Sequence, residues 1–300
     1  MTAATTTCDE AAEPRREELL ALGAALLTVA LWASAFVGIR AAGHDFAPAS
    51  LALGRLLVGS VVLGAFVLAR RESLPPARDL PLIVVCGLLW FGFYNVALNA
   101  GERRVDAGTA AMLVNVAPVL IAVLAGIVLR EGFPRQLLAG CAVAFGGVAV
   151  IGFATNGSNG SSGWGAALCL LAATAYSVAL IVQKGVLQRV SALQTTFLCC
   201  LTATIALLPF APRLADDLRA APGSSIAWVG YLGALPTAVA FTTWAYALAR
   251  TDAGRLGATT YLVPPLSILL GWALLAETPP AVALAGGALC LVGVAITRRR

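Results

Sequence analysis

Charged side chains are scarce in this chain of 300 residues: they make up 12% of it, against 59% for hydrophobic ones. A soluble domain is usually about one quarter charged, because its surface must face water. With a mean hydropathy of +0.87, most of this surface must face lipid, which excludes an ordinary soluble protein. The net charge of +5 then fits arginines that fix membrane orientation better than it fits nucleic-acid binding. We therefore expect a lipid bilayer as a partner, and no nucleic acid.

Side chains for enzyme chemistry are also few. Histidine occurs once, at His44, and no aspartate lies in the interior of a long apolar run. An intramembrane enzyme needs paired aspartates, a Ser–His pair or an HExxH zinc motif. The seven cysteines lack CxxC spacing, so we interpret them as small apolar residues. We expect no enzyme, no metal site and no cofactor, and in the absence of a P-loop any transport must draw on gradients.

Ten apolar runs of spanning or near-spanning length make up most of the chain. They cover residues 18–40, 48–70, 79–101, 107–129, 135–154, 163–183, 192–211, 225–248, 254–276 and 280–297. Before them lies segment 1–17, which we expect to be a disordered cytoplasmic tail. A polar linker, 155–162, separates two groups of five runs, and 298–300 form a basic C-terminus. The sequence predicts an all-α integral membrane protein with ten transmembrane helices.

The second half of the chain repeats the first. Residues 107–151 recur without a gap at 253–297, an offset of 253 − 107 = 146. The matched pairs include Ala107/Ala253, Pro118/Pro264, Glu131/Glu277, Gly140/Gly286 and Gly147/Gly293. Five spans per repeat is an odd number, so the second repeat, 163–297, must enter the membrane from the side opposite to the first, 18–154. Inverted repeats of membrane segments are the usual build of secondary transporters.

The basic residues set an orientation for these spans. With the N-terminus inside, 14 arginines and lysines lie in cytoplasmic segments and five lie in outer ones. This is a clear positive-inside bias, because cytoplasmic loops carry the excess of basic residues. We therefore expect a multi-pass protein of the cytoplasmic membrane, with both termini in the cytoplasm.

Three features together resemble a known superfamily. Each repeat has a proline in mid-helix, a glutamate at the helix end and then a glycine-containing helix. The stretch 31–36, LWASAF, is similar to a Trp-Gly-Ser-Asn-Phe signature, and Arg55 sits where an Arg-Phe pair is common, with Leu56 replacing the aromatic residue. The chain resembles the drug/metabolite transporter superfamily, specifically proteins with two EamA-type repeats. The resemblance implies a secondary transporter that exports small polar metabolites, such as amino acids, by alternating access around a midplane site.

Candidate substrate-binding residues are those that place charge, amide groups or aromatic rings inside the membrane. Arg55 is the only charge away from the ends of a predicted span, and burying it costs roughly 3 kcal/mol unless it finds a partner or water. It either binds a substrate carboxylate or lines the outer vestibule, or else it snorkels outward or bonds backbone carbonyls. The other candidates are Trp32, Trp90, Tyr94, Asn95, Asn99, Asn115, Tyr176, Tyr246 and Tyr261, with Trp244 in the same helix as Tyr246. For each aromatic residue, packing or interface anchoring is the competing interpretation.

The repeated prolines and glutamates suggest moving parts. Pro118 and Pro264 each remove a backbone hydrogen bond near mid-membrane, so kinks that act as hinges are expected there. Glu131 and Glu277 lie at helix ends, where they either couple transport to protons or cap a helix. No acidic residue lies at mid-depth, so facilitated diffusion and exchange stay open beside proton coupling.

The repeated glycines predict a close contact between helices. The small residues of the fifth and tenth spans lie two turns apart, which permits close helix packing either within the fold or in a homodimer. A channel or a non-transporting membrane receptor or scaffold is the alternative function. The inverted duplication argues against both, because neither requires it.

Overall fold

The chain is helical wherever the structure describes it. This computed structural model describes residues 6–102, 113–155, 163–275 and 281–297. Every regular element in these ranges is a helix. The predicted all-helical architecture is therefore confirmed.

Within the described residues of the first half there are six α-helices and one π-helical segment. The α-helices are α1 (Thr6–Ala42), α2 (Pro48–Arg70), α3 (Leu80–Cys86), α4 (Asn95–Glu102), α5 (Ala117–Val128) and α6 (Arg135–Thr155). The first π segment, Gly87–Tyr94, joins α3 to α4, so these three elements form one long span.

The second half follows the same plan. Its helices are α7 (Gly163–Val186), α8 (Ala192–Leu207), α9 (Ala211–Ala220), α10 (Gly223–Leu232), α11 (Ala240–Arg250), α12 (Ala253–Ala258), α13 (Val263–Leu275) and α14 (Ala281–Thr297). The second π segment, Gly233–Val239, joins α10 to α11 within one span.

In the described part of the chain, six helical stretches are long and apolar enough to cross a membrane. They are Arg16–Ile39, Pro48–Arg70, Ala77–Leu98, Gly163–Val186, Ala192–Ala220 and Gly223–Arg250. Three shorter apolar helices, Ala117–Val128, Arg135–Ile151 and Leu284–Thr297, accompany them. A multi-pass membrane protein is confirmed, whereas the count of ten spans stays a prediction.

The N-terminal segment differs from the prediction. Helix α1 begins at Thr6, whereas the sequence predicts disorder over 1–17. The residues in front of the apolar run are mostly alanine, glutamate and arginine, which are strong helix formers. Their backbone therefore continues the first membrane helix beyond its apolar part.

The fourth and ninth predicted spans are interrupted at equivalent places. Asn115 and Val116 form a turn before α5, in which Pro118 is the second residue. In the second half a 3-10 segment, Thr259–Leu262, separates α12 from α13, in which Pro264 is the second residue. Proline has no N–H to donate, so regular helical bonding stops there. The expected breaks are present, and a hinge role for the two prolines stays a prediction.

Polar contacts join the two halves at equivalent positions. Asp45 Oδ2 accepts a hydrogen bond from Ser225 Oγ at 2.6 Å, and Arg189 Nη2 donates to Asp79 Oδ1 at 2.6 Å. The repeat relates these pairs, since 225 − 79 = 146, and 189 − 45 = 144 is the offset that also relates Trp32 to Tyr176 before the third span. The carboxylate of Asp79 raises the pKa of Arg189, because their hydrogen bond favours the charged guanidinium. Equivalent positions therefore join the two halves at both ends of the bundle. One contact is a serine–aspartate hydrogen bond, and the other is an arginine–aspartate ion pair.

Helices α6 and α14 pack backbone against backbone through their glycines. A Cβ atom on Gly140 would lie 2.6 Å from the carbonyl oxygen of Gly293, and one on Gly147 would lie 2.5 Å from that of Gly286. The residue numbers run in opposite directions along this contact, so the two helices are antiparallel. The small-residue faces predicted from the sequence therefore meet within one chain. A homodimer stays untested.

Gly147→Val is expected to disrupt this crossing, because its side chain would enter the backbone of α14. We expect a loss of at least about 1–3 kcal/mol, as is typical of overpacking. Gly146→Val is the matched control, since a Cβ there meets nothing within 4 Å. Melting of the two variants in detergent tests this prediction. Equal melting temperatures would contradict the tight crossing.

Candidate functional site

Six aromatic side chains meet where α1, the first π segment, α7 and α11 pack together. We call them the aromatic cluster: Trp32, Trp90, Phe91, Tyr176, Phe241 and Trp244. The Trp90 ring centroid lies 4.9 Å from that of Tyr176, 5.1 Å from Phe241 and 6.3 Å from Trp244. Trp32 closes the other side, 5.0 Å from Trp244. Tilted and edge-on contacts of this kind add about 0.5–1.5 kcal/mol each beyond burial.

The aromatic cluster gathers part of the predicted site. Trp32, Trp90 and Tyr176 are members, and Tyr94 lies beside them with its ring 5.8 Å from Tyr176. Phe241 was missed by the sequence reasoning. The repeat offset could have found it, because 241 − 95 = 146 relates it to the candidate Asn95.

The two π segments explain how the centre is built. They begin at Gly87 and Gly233, which are equivalent because 233 − 87 = 146. A Cβ on Gly87 would lie 2.6 Å from the carbonyl oxygen of Cys199, and one on Gly233 would lie 2.6 Å from that of Arg55. Each π segment therefore presses its backbone against the second span of the other half. The π geometry adds a residue to the helical turn, which redirects the side chains that follow.

Arg55 lies in the interior beside the aromatic cluster. Its side chain is 9% exposed, and its Nε donates a hydrogen bond to Thr237 Oγ1 at 3.1 Å. Thr237 belongs to the second π segment and donates in turn to the carbonyl of Leu232 at 2.8 Å. The charge of Arg55 also interacts with Tyr94 and Cys200. Arg55 is therefore buried against protein groups, and its role in substrate binding stays a prediction.

Asn95 has a structural contact of its own. Its Nδ2 donates to the carbonyl oxygen of Phe91 at 2.8 Å and to that of Trp90 at 3.4 Å. In a π-helical turn some carbonyls lose their usual partners, and the amide satisfies them. Asn95 therefore stabilises the first π segment, and a role in substrate binding stays a prediction.

Several other candidates lie away from the aromatic cluster. The ring of Tyr246 stacks under Arg250, whose guanidinium carbon is 3.7 Å from the ring centroid. Tyr261 is fully buried in a separate apolar cluster with Cys141 and Cys290, between α6 and α14. Asn115 is half-buried at the break before α5. The side chain of Asn99 lies outside the described residues.

Of the two candidate coupling glutamates, the structure describes only Glu131. The carboxylate of Glu131 accepts hydrogen bonds from the backbone N–H groups of Ala253 and Gly254 at the start of α12. It therefore caps a helix of the opposite half of the chain. Glu277 lies outside the described residues.

Comparison with known proteins decides the family. The EamA-like transporter family matches the chain twice, over residues 19–153 and 163–299. The chain belongs to the EamA-like transporter family. It is therefore a multi-pass membrane transporter, and the family is not enzymatic.

Relatives agree with this membership. An EamA-like relative described as a probable terminal-alkyne amino-acid exporter, from Streptantibioticus cattleyicolor, is 39% identical over 93% of this chain and 94% of its own length. The uncharacterized transporter YdfC of Bacillus subtilis is 33% identical over 90% and 88%. A probable amino-acid metabolite efflux pump of Salmonella typhimurium is 28% identical over 91% and 92%. A crystal structure with 21% identity, which covers 93% of this chain and 96% of its own, superposes with a TM-score of 0.77 and shows the same fold.

Thr237→Val is expected to destabilise the transporter, because it removes the acceptor for Arg55 Nε while keeping the side-chain volume. A buried donor left without a partner costs about 1–3 kcal/mol. Thr242→Val is the control, since Thr242 donates only to Ala238 within its own helix at 2.7 Å. Thermal melts should show a larger loss for Thr237→Val. A larger loss for Thr242→Val would contradict the importance of the Arg55–Thr237 contact.

Proposed function

We propose that this transporter exports an amino acid or a close amino-acid derivative across the cytoplasmic membrane by alternating access. Two relatives support the substrate class, since one is described as an amino-acid exporter and another as an amino-acid metabolite efflux pump. The observation that carries the proposal is a buried arginine, Arg55, beside an aromatic cluster in the centre of the bundle.

The chemistry of Arg55 suits a substrate carboxylate. A guanidinium offers parallel N–H donors that match the two oxygens of a carboxylate. Thr237 occupies Nε, so the carboxylate would bind to the two Nη groups. The charge of Arg55 interacts with Tyr94, and the ring of Tyr94 lies 5.8 Å from that of Tyr176 in the aromatic cluster. The amino acid would then place its carboxylate at Arg55 and its apolar part against Tyr94, Trp90 and Trp32.

Two pairs of equivalent contacts support an inverted arrangement of the repeats. Helices α6 and α14 cross antiparallel through Gly140 and Gly293 and through Gly147 and Gly286. Gly87 and Gly233 each meet the second span of the opposite half. Halves related in this way can exchange conformations, which presents one central site to either side of the membrane. We infer ten spans with both termini in the cytoplasm, as the positive-inside bias indicates.

Transport by purified protein in liposomes tests the proposal. Counterflow of radiolabelled amino acids should saturate, because a carrier has a finite number of sites. Arg55→Lys keeps the charge but loses the fork of donors, so the KM for the amino acid should rise about 10–100-fold, the equivalent of a lost charge-assisted hydrogen bond. Arg219→Ala is the control, since Arg219 pairs with Asp216 on an exposed surface at 3.1 Å.

Three outcomes would contradict parts of the proposal. An unchanged KM in Arg55→Lys would remove Arg55 from the site. Flux that neither saturates nor shows counterflow would indicate a channel. Saturable counterflow of another class of metabolite, with no response to amino acids, would overturn the substrate assignment. Dependence on an imposed pH gradient would separate proton coupling from exchange.

A further inference from the structure

A carboxylate of the first half is bound to a helix start of the second half on the predicted cytoplasmic side. Glu131 follows α5. Its Oε1 accepts a hydrogen bond from the N–H of Ala253 at 2.9 Å, and its Oε2 accepts one from Gly254 at 3.2 Å. A carboxylate is favoured there by charge-assisted hydrogen bonding and by the positive end of the helix dipole. The contact holds α5 against α12.

A lysine joins the same contact from a third helix. Lys184, in the last turn of α7, donates from Nζ to the carbonyl of Leu248 at 2.8 Å and also to the carbonyl of Thr251. Its Nζ is 4.0 Å from Oε1 of Glu131, and both side chains are 14% exposed. We call this set of contacts the Glu131–Lys184 lock. It ties the ends of α5, α7, α11 and α12 together.

Polar groups that lack partners lie behind this lock. Gln183, next to Lys184, is fully buried, and among the described residues neither its Oε1 nor its Nε2 has a hydrogen-bond partner. The same holds for the hydroxyl of Tyr176 and for Nε1 of Trp244. Tyr176 precedes Gln183 by seven residues on the same face of α7, and Trp244 precedes Leu248 by one turn of α11.

Buried polar groups are nearly always hydrogen-bonded, because leaving one unpaired is costly. Two of these side chains, Tyr176 and Trp244, belong to the aromatic cluster, and the third, Gln183, is next to Lys184 of the lock. Water or a passing polar solute would satisfy them if the lock opened. The glutamine amide both donates and accepts, which suits the ammonium and carboxylate groups of an amino acid.

We propose that Gln183 lines the cytoplasmic half of the translocation path, and that the Glu131–Lys184 lock keeps this half closed in the present conformation. Opening separates α5 from α12 and exposes Gln183 to the cytoplasm. The inference rests on the proposed alternating-access function. It assigns Glu131 to gating, where the sequence left proton coupling and helix capping open.

Thiol labelling at position 183 tests the path and the lock together. Gln183→Cys is placed in a full-length chain whose native cysteines are replaced, and inside-out vesicles are treated with a membrane-impermeant maleimide. Glu131→Gln keeps the size of the side chain but removes its charge, so labelling should be about tenfold faster, which corresponds to about 1.4 kcal/mol lost from the closed state. Asp216→Asn is the control, because Asp216 is an exposed carboxylate that pairs with Arg219 at 3.1 Å, away from the lock.

Lys184→Gln approaches the same lock from its other partner and should also speed labelling. If Glu131→Gln fails to fold, the labelling rate of Lys184→Gln tests the lock in its place. Equal labelling rates in all backgrounds, or rapid labelling with the lock intact, would overturn the proposal. If labelling responds as expected but no amino acid shows counterflow, the gate stands and the proposed substrate class fails.

A stability measurement separates a path residue from a structural one. Gln183→Leu removes an unsatisfied amide at nearly constant volume, so the closed state should become more stable. We expect a higher melting temperature together with slower transport, because the variant favours the closed conformation. A lower melting temperature would mean that Gln183 stabilises the fold, and it would overturn its assignment to the path.

Discussion

The close approach of helix backbones at glycine is the constraint on which the rest of this structure depends. Lipid is as apolar as the helices themselves, so membrane helices associate through tight packing at small residues. Gly87 and Gly233 bring each π segment against the second span of the opposite half, and Gly147 brings α6 against α14. Because these contacts involve backbone atoms, they leave little freedom in rotation or register. The π segments that carry Trp90, Phe91 and Thr237 are positioned by them.

The π segments connect this packing to function. A π turn departs from the regular helix, and it frees carbonyls that need other partners. In the first half Asn95 supplies one, and the turn directs Trp90 and Phe91 into the aromatic cluster. In the second half Thr237 both closes its own turn and binds Arg55. The first π segment therefore carries aromatic side chains of the central site, and the second π segment binds the guanidinium of Arg55.

The predicted cytoplasmic side of the central site is closed by charged groups at helix ends. There a carboxylate and an ammonium join helix ends of the two halves. The closed side therefore contains strong charged hydrogen bonds and also buried polar groups without partners among the described residues, such as the amide of Gln183. A carrier needs conformations of similar free energy, because a gate that is too stable would not reopen. The charged contacts stabilise the closed conformation and the unsatisfied polar groups destabilise it, which keeps the free energies of the closed and open conformations similar.

The sequence by itself determined the membrane class, the helical character, the duplication and the helix breaks before Pro118 and Pro264. These properties are local: apolar runs, prolines and glycines act on their own stretch of chain, and a repeat shows itself by comparison along the sequence. Only the tertiary structure decided which faces meet. It paired Arg55 with Thr237 and Glu131 with Ala253, which lie 182 and 122 residues apart, brought Phe241 into the aromatic cluster, and placed Tyr261 outside it. Such contacts depend on the rotation and register of whole helices, which no single stretch of sequence specifies.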